Sequence, residues 1–331
     1  MAAGLTLADI GEFALIARIA EVVAAQPALV GDVGIGDDAA VIRLGRDPRV
    51  VATTDVLVEG RHFRLDWSAA YDIGRKAAAQ SLADIEAMGA RPVALLVGFA
   101  APGTTSLDFA MDVARGLADE AAAAGARVSG GDTVSADRIT ISVAALGSLD
   151  GRRPMLRSGA RVGDEVYAAG LLGWSAAGLA LLKRGDVDLI ARHADLVATH
   201  RVPRPPYGYG QAVTVAGCTS MIDVSDGLLA DLGHLVDASG VGAELSSGSW
   251  QDEALAAAAS DLGVDPDEWC TTGGEDHALL YTMPAGRSAP AGPQVRRLGS
   301  MVAAPGISVD GIEIARGGFD HFSPHGEPGT T

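Results

Sequence analysis

Lysine is almost missing from this chain: among 331 residues only Lys76 and Lys183 carry it, and the remaining cations are arginines. Acids outnumber bases so far that the formal charge is −17. That excludes the basic face duplex binding demands, and no nucleic-acid partner is expected. Cysteine is nearly as scarce. Cys218 and Cys270 form no CxxC pattern and suit a reduced, cytoplasmic setting. The seven histidines are scattered without an HExxH pair, which disfavours zinc. No GxxxxGK[ST] loop, HRD or DFG triplet, GxSxG elbow or EF-hand pattern occurs, so those readings fall. Gly31-Asp32-Val33-Gly34-Ile35-Gly36 looks like a dinucleotide loop but lacks the strand before it and the helix after it. The uncharged run 166–182 is shorter than the roughly 20 residues of a spanning helix. Gly170, Gly173 and Gly178 interrupt it, so it reads as strand, turn and helix start, and no membrane partner is expected. With Asp9 and no basic segment near Met1, no secretory signal is expected either.

What is present is a folded composition, 48% apolar, with 43 glycines. That is more glycine than connections need, and it points to close backbone approach at several places. The length suits two domains and the pattern interleaves helix with strand, so the fold class is α/β (α+β). Helices are expected over 12–25, 68–88, 106–124, from about 175, after Pro206, and over 228–239. Strands are expected at 39–44, 50–54, 92–100, 139–147, 220–224 and 277–283. Texture changes around 150–164, giving an N-terminal domain over 1–150, a C-terminal α/β domain over 151–323 and a disordered tail over 324–331.

The informative feature is a series of acids set among Gly, Ser and Thr. They are Gly36-Asp37-Asp38, Thr53-Thr54-Asp55, Ala83-Asp84, Gly130-Gly131-Asp132, Asp223-Val224-Ser225-Asp226-Gly227 and Gly273-Gly274-Glu275-Asp276. Each alone is ordinary turn or cap chemistry. Together, several of them after apolar runs, they read as loops gathering at strand ends. Carboxylates with hydroxyl or carbonyl oxygens suit Mg²⁺, and paired glycines suit a phosphate nest.

Taken in order, these runs resemble the thiamine-monophosphate kinase family of the aminoimidazole-ribonucleotide-synthetase-like superfamily. Also matching are Gly60-Arg61-His62-Phe63, Ala87-Met88-Gly89-Ala90, Arg157-Ser158-Gly159-Ala160, Asp231-Leu232-Gly233-His234 and Gly318-Phe319-Asp320-His321-Phe322, so the likeness spans nearly the whole chain. The resemblance implies Mg²⁺ ligation, with several ions, by Asp38, Thr53, Thr54, Asp55, Asp84, Asp132, Asp223 and Asp226. It implies ATP contacts from Gly131, Asp132, Arg157 and Ser225, and thiamine monophosphate contacts from His62, Glu275 and Phe319. It further implies an N-terminal domain that binds ATP and Mg²⁺ and pairs through its sheet in a homodimer, and direct in-line phosphoryl transfer with no side-chain base. Ala83, His277 and Phe319 depart from residues common in the family, namely Ser, Tyr and Tyr, but no carboxylate is lost. The alternatives are a sister ATP-dependent synthetase on the same scaffold and a non-catalytic module that binds metal or nucleotide.

Overall fold

The computed structural model describes residues 5–10, 12–24, 42, 47–315 and 317–318. The chain forms two compact units, Met1–Glu86 with Ala90–Pro154, and Ala87–Gly89 with Met155–Thr331. Apart from residue 42, the expected strand at 39–44 lies outside the described residues, as does the tail over 324–331.

The first unit runs α1 (Leu7–Ile10), α2 (Glu12–Ala24), β1 (Val50–Val58), α3 (Ala70–Ala87), β2 (Arg91–Ala101), α4 (Leu107–Ala123), β3 (Arg127–Ser135) and β4 (Thr140–Ser148). The strands form one sheet in the order β1-β4-β2-β3. Only β2 and β3 pair in parallel, because α4 carries the chain back between them. Ser106 caps α4 by accepting the Phe109 N–H at 3.2 Å, and Leu107, Ala110, Val113, Ala114 and Leu117 make its buried stripe. Helices α3 and α4 cross at glycines. A Cβ on Gly74 would lie 2.1 Å from the Val113 carbonyl oxygen, and one on Gly116 would lie 2.0 Å from that of Tyr71.

The second unit runs β5 (Glu165–Ala169), α5 (Trp174–Arg184), α6 (Val187–Arg192), α7 (Ala194–Arg201), α8 (Tyr209–Ala216), β6 (Ser220–Val224), α9 (Leu228–Ser239) and β7 (Gly242–Leu245). It continues with α10 (Glu253–Leu262), α11 (Pro266–Thr272), β8 (Ala278–Met283), β9 (Arg296–Val302), β10 (Ile307–Val309) and β11 (Ile312–Glu313). A seven-stranded sheet takes the order β11-β10-β7-β9-β5-β8-β6 and is antiparallel except between β10 and β7. Every residue of β6 and β8 is buried, and the Tyr281 ring stacks on Tyr167 with centroids 5.6 Å apart. Helix α9 buries Leu228, Leu229, Leu232, Leu235 and Val236, and stops where Gly240 turns left-handed at φ +67. Trp250 is fully enclosed, with its indole N–H on Asp267 at 3.2 Å.

Among the described residues no helix is long and apolar enough to cross a membrane. The helix crossing in the first unit yields a test. Gly116→Ala is expected to cost about 1–3 kcal/mol, since either helix must shift to admit a methyl group. Gly98→Ala, whose Cβ would meet the Ser142 Cβ at 3.6 Å, is the control. Urea midpoints should separate the two; equal midpoints would refute the close-approach account.

Candidate active site

In the first unit, β1 alternates between its two faces. Thr53, Asp55 and Leu57 point one way, and Val50, Ala52, Thr54 and Val56 point to the exposed side. Thr53 and Asp55 meet α3: the Thr53 hydroxyl donates to Asp84 Oδ2 at 2.5 Å, and the Ser81 hydroxyl donates to Asp55 Oδ2 at 2.7 Å. Two carboxylates are thereby oriented by hydroxyl donors, and the local donor set is all oxygen, which suits a hard divalent cation. Asp84 is half-buried while its neighbours Leu82 and Ile85 are fully buried.

Thr54 does not join them. The strand's period of two turns its hydroxyl to the opposite face, so only its main chain stays near Asp55. Gly130, Gly131 and Asp132 differ from the loop and nest expected of them, for all three lie inside β3. A Cβ on Gly131 would sit 2.0 Å from the Val97 carbonyl oxygen, so this glycine serves the close approach of two strands. Through the ladder Asp55 aligns with Val143, Val97 and Gly131, whereas Asp132 aligns with Gly98, Ser142 and Val56 on the exposed face. Two strands separate β1 from β3, which places Asp132 roughly 14 Å from Asp55 at ordinary strand spacing. An apolar cavity of about 90 Å³ lies beside this stretch, lined by Ile16, Ile19, Phe99, Val113 and Leu117 among others. With that lining it is no place for phosphates. His62 follows β1, and its Nδ1 accepts the Val58 N–H at 3.0 Å, which puts the ring proton on Nε2 when neutral.

In the second unit the geometry is tighter. The segment from Gly273 to His277 runs beside the end of β6, with the Glu275 N–H on the Ser225 carbonyl and the His277 N–H on that of Val224, both at 2.8 Å. Glu275 and His277 sit at φ +65 and +53, backbone that costs energy outside glycine and is characteristic of functional sites. Glu275, Ser225 and Asp226 are half-buried, and Asp223 is buried. Asp223 Oδ2 meets His277 Nδ1 at 3.1 Å, and Glu275 Oε2 lies 3.7 Å from His200 Nδ1. Arg157 is exposed and, among its contacts, its carbonyl accepts the Ser239 hydroxyl at 3.2 Å. Asp38 and Phe319 lie outside the described residues.

Three residues not singled out as ligands complete the neighbourhood. Asp276 Oδ2 and Oδ1 accept the N–H groups of Gly173 (2.6 Å) and Ser175 (2.9 Å) at the start of α5. Asp231 Oδ2 accepts both the Asp226 and Gly227 N–H groups, at 3.0 and 3.2 Å. Burial pushes Asp276 up to about 7, and burial together with the nearby Asp223 does the same for Asp231. His277 is the third. The order GGEDH hints at Asp276 and His277 only by adjacency, and Asp231 lies in the separate run Asp231-Leu232-Gly233-His234. Among the described residues no three His, Cys, Asp or Glu side chains converge as a ready metal cluster.

The raised Asp231 has a consequence for stability. Between its unfolded value of 3.8 and about 7 the folded state holds the proton more tightly, so this group's stabilisation is lost as pH rises through that window. One oxygen takes both N–H bonds, so an amide can replace it without losing either. In a divalent-free buffer the stability of Asp231→Asn relative to the parent, by urea denaturation, should rise between pH 5 and pH 8. A stability difference that stays constant across that interval would refute this reading.

The AIR synthase related protein, N-terminal domain family matches residues 36–149. A thiamine-monophosphate kinase of Mycobacterium tuberculosis (strain H37Rv) is 48% identical over 98% of this chain and 94% of its own length. The crystal structure of thiamine-monophosphate kinase from Stenotrophomonas maltophilia K279a superposes with a TM-score of 0.80 at 30% identity, over 92% of this chain and 98% of that one. AaThiL complexed with AMPPCP and TMP superposes with a TM-score of 0.78 at 29% identity, over 95% and 98%. Likeness of this extent settles membership: the chain belongs to the thiamine-monophosphate kinase family.

Proposed function

We propose that this protein transfers the γ-phosphoryl group of ATP to thiamine monophosphate, forming thiamine diphosphate and ADP. The observation that carries the reading is the near-complete match to thiamine-monophosphate kinases, together with a structural relative that holds AMPPCP and TMP. The acceptor is a phosphate oxygen whose second pKa is about 6 by analogy with phosphorylated side chains, so it is largely ionised at neutral pH. No side chain is needed as base.

The obstacle is repulsion between anions. Two unit charges 4 Å apart repel by roughly 4 kcal/mol at an effective dielectric near 20, and the reacting phosphates carry more. Asp55 and Asp84 with Thr53 in the first unit, and Asp223 and Asp226 in the second, would hold Mg²⁺; Asp38, Thr54 (through its main chain) and Asp132 are further ligands by family likeness. When bound, the ions supply charge neutralisation and alignment of the phosphates for in-line transfer. Hydroxyl donors orient both carboxylates, Ser81 on Asp55 and Thr53 on Asp84. Gly131, Arg157 and Ser225 are assigned to ATP, and His62, Glu275 and Phe319 to thiamine monophosphate. With so few lysines, the guanidinium of Arg157 is well suited to phosphate.

The N-terminal domain is assigned nucleotide binding and homodimer formation. Its exposed sheet face supports pairing: Val50, Val56 and Val134 are 47%, 48% and 55% exposed. Two unpaired thiols, Cys218 and Cys270, accord with a cytoplasmic setting.

ADP release with Mg²⁺ and ATP is expected only when thiamine monophosphate is added. Release with formylglycinamidine ribonucleotide instead would favour a sister synthetase, and nucleotide binding without turnover a non-catalytic module. Asp55→Asn should lower kcat by about a hundredfold or more while the urea midpoint holds; near-normal turnover would remove Asp55 from the site.

A further inference from the structure

We propose that His277 is a positioning residue that holds the carboxylate of Asp223 in a single orientation for cation binding. The inference rests on the assignment of Asp223 as a Mg²⁺ ligand and adds a residue that assignment does not contain. Asp223 lies in β6 at 5% exposure, so its carboxylate is nearly out of water and needs a donor to define it. His277 Nδ1 is 3.1 Å from Asp223 Oδ2, and both side chains are buried. For that contact to be a hydrogen bond to a carboxylate, Nδ1 carries the proton and Oδ2 accepts it.

The backbone shows that His277 is placed there at a cost. Its φ of +53 is a left-handed conformation, tolerated best by Gly, Asn, Asp and His. Its own N–H is anchored to the Val224 carbonyl at 2.8 Å, one residue past Asp223. The ladder then continues with Ala278 opposite Val224 and Leu279 opposite Asp223. The ring and the carboxylate are therefore both fixed by the same strand pair, and rotation of Asp223 would break a buried hydrogen bond. Donors of this kind, one step behind a metal ligand, set the ligand's angle, and their loss typically weakens metal affinity by about 10–100-fold.

His277→Gly removes the donor and suits the backbone, while His277→Asn suits the same backbone and offers its amide N–H near the position of Nδ1. Mn²⁺ binding, followed by the EPR signal of free Mn²⁺, gives a readout independent of turnover; the Mg²⁺ half-saturation of kcat gives a second. His277→Gly should weaken Mn²⁺ binding and raise the Mg²⁺ requirement about tenfold, and His277→Asn should return both to within about threefold of the parent. Thermal midpoints should fall in both variants, because each loses a buried ring. Equal effects of the Gly and Asn variants on metal binding, or no effect of either, would overturn the proposal. Asp223→Asn separates the two levels. If it leaves Mn²⁺ binding unchanged, the ligand assignment itself fails; if it weakens binding while His277→Gly does not, only the positioning role fails.

Discussion

A carboxylate withdrawn from water must be met by a donor, and this protein meets several of its carboxylates with hydroxyls, main-chain N–H groups and one imidazole. Ser81 donates to Asp55 and Thr53 to Asp84. Two main-chain groups serve Asp231, another two serve Asp276, and His277 serves Asp223. Neutral donors of this kind orient an anion without cancelling it. An arginine in the same place would fix the carboxylate equally well and leave it a poorer ligand for a second cation.

The two units reach this result differently. In the first, a helix and a strand trade side-chain contacts, and the strand's alternation decides which residues take part. Thr53 and Asp55 face α3 while Thr54, between them, cannot. In the second, main chain meets main chain. The segment from Gly273 to His277 is tied to Ser225 and Val224, so the residues it carries are placed by backbone hydrogen bonds. Gly274 and Gly227 admit this approach, since a Cβ on either would collide with main chain at 2.5 and 2.8 Å.

How much of this was legible in sequence follows from the same distinction. Strand 220–224 and helix 228–239 were readable to the residue, because an apolar run with one acid and a clean helical stripe admit few alternatives. The strand Arg127–Ser135 was not, for RVSGGDTVS offers no clean alternation, and its glycine pair imitates a loop. What makes it a strand is the ladder with β2, a contact between residues more than thirty apart. The small helices between Val187 and Arg201 were likewise unread, as were β7, β9 and the helices on either side of Val264. The acids themselves were visible as a list; their grouping was not. Asp55 with Ser81, Asp84 with Thr53 and Asp223 with His277 are pairs across long sequence separations, which composition and spacing do not encode.

His277 shows where local reading runs out. Seen in sequence it is a residue next to two acids, departing from the tyrosine common at its position. In the fold it occupies a strained backbone conformation with its ring buried against Asp223. Strain of that sort, of order 1–3 kcal/mol for a residue outside its preferred region, persists only where surrounding contacts over-determine it. Here Glu275 and His277 are both left-handed within three residues, and their N–H groups are held by the carbonyls of Ser225, just past β6, and Val224, its last residue. A segment without a task could relax both by loosening from the strand end. That it does not argues that the carboxylates beside it need a fixed wall, and that the energy held in the backbone is spent on defining where Asp223 points.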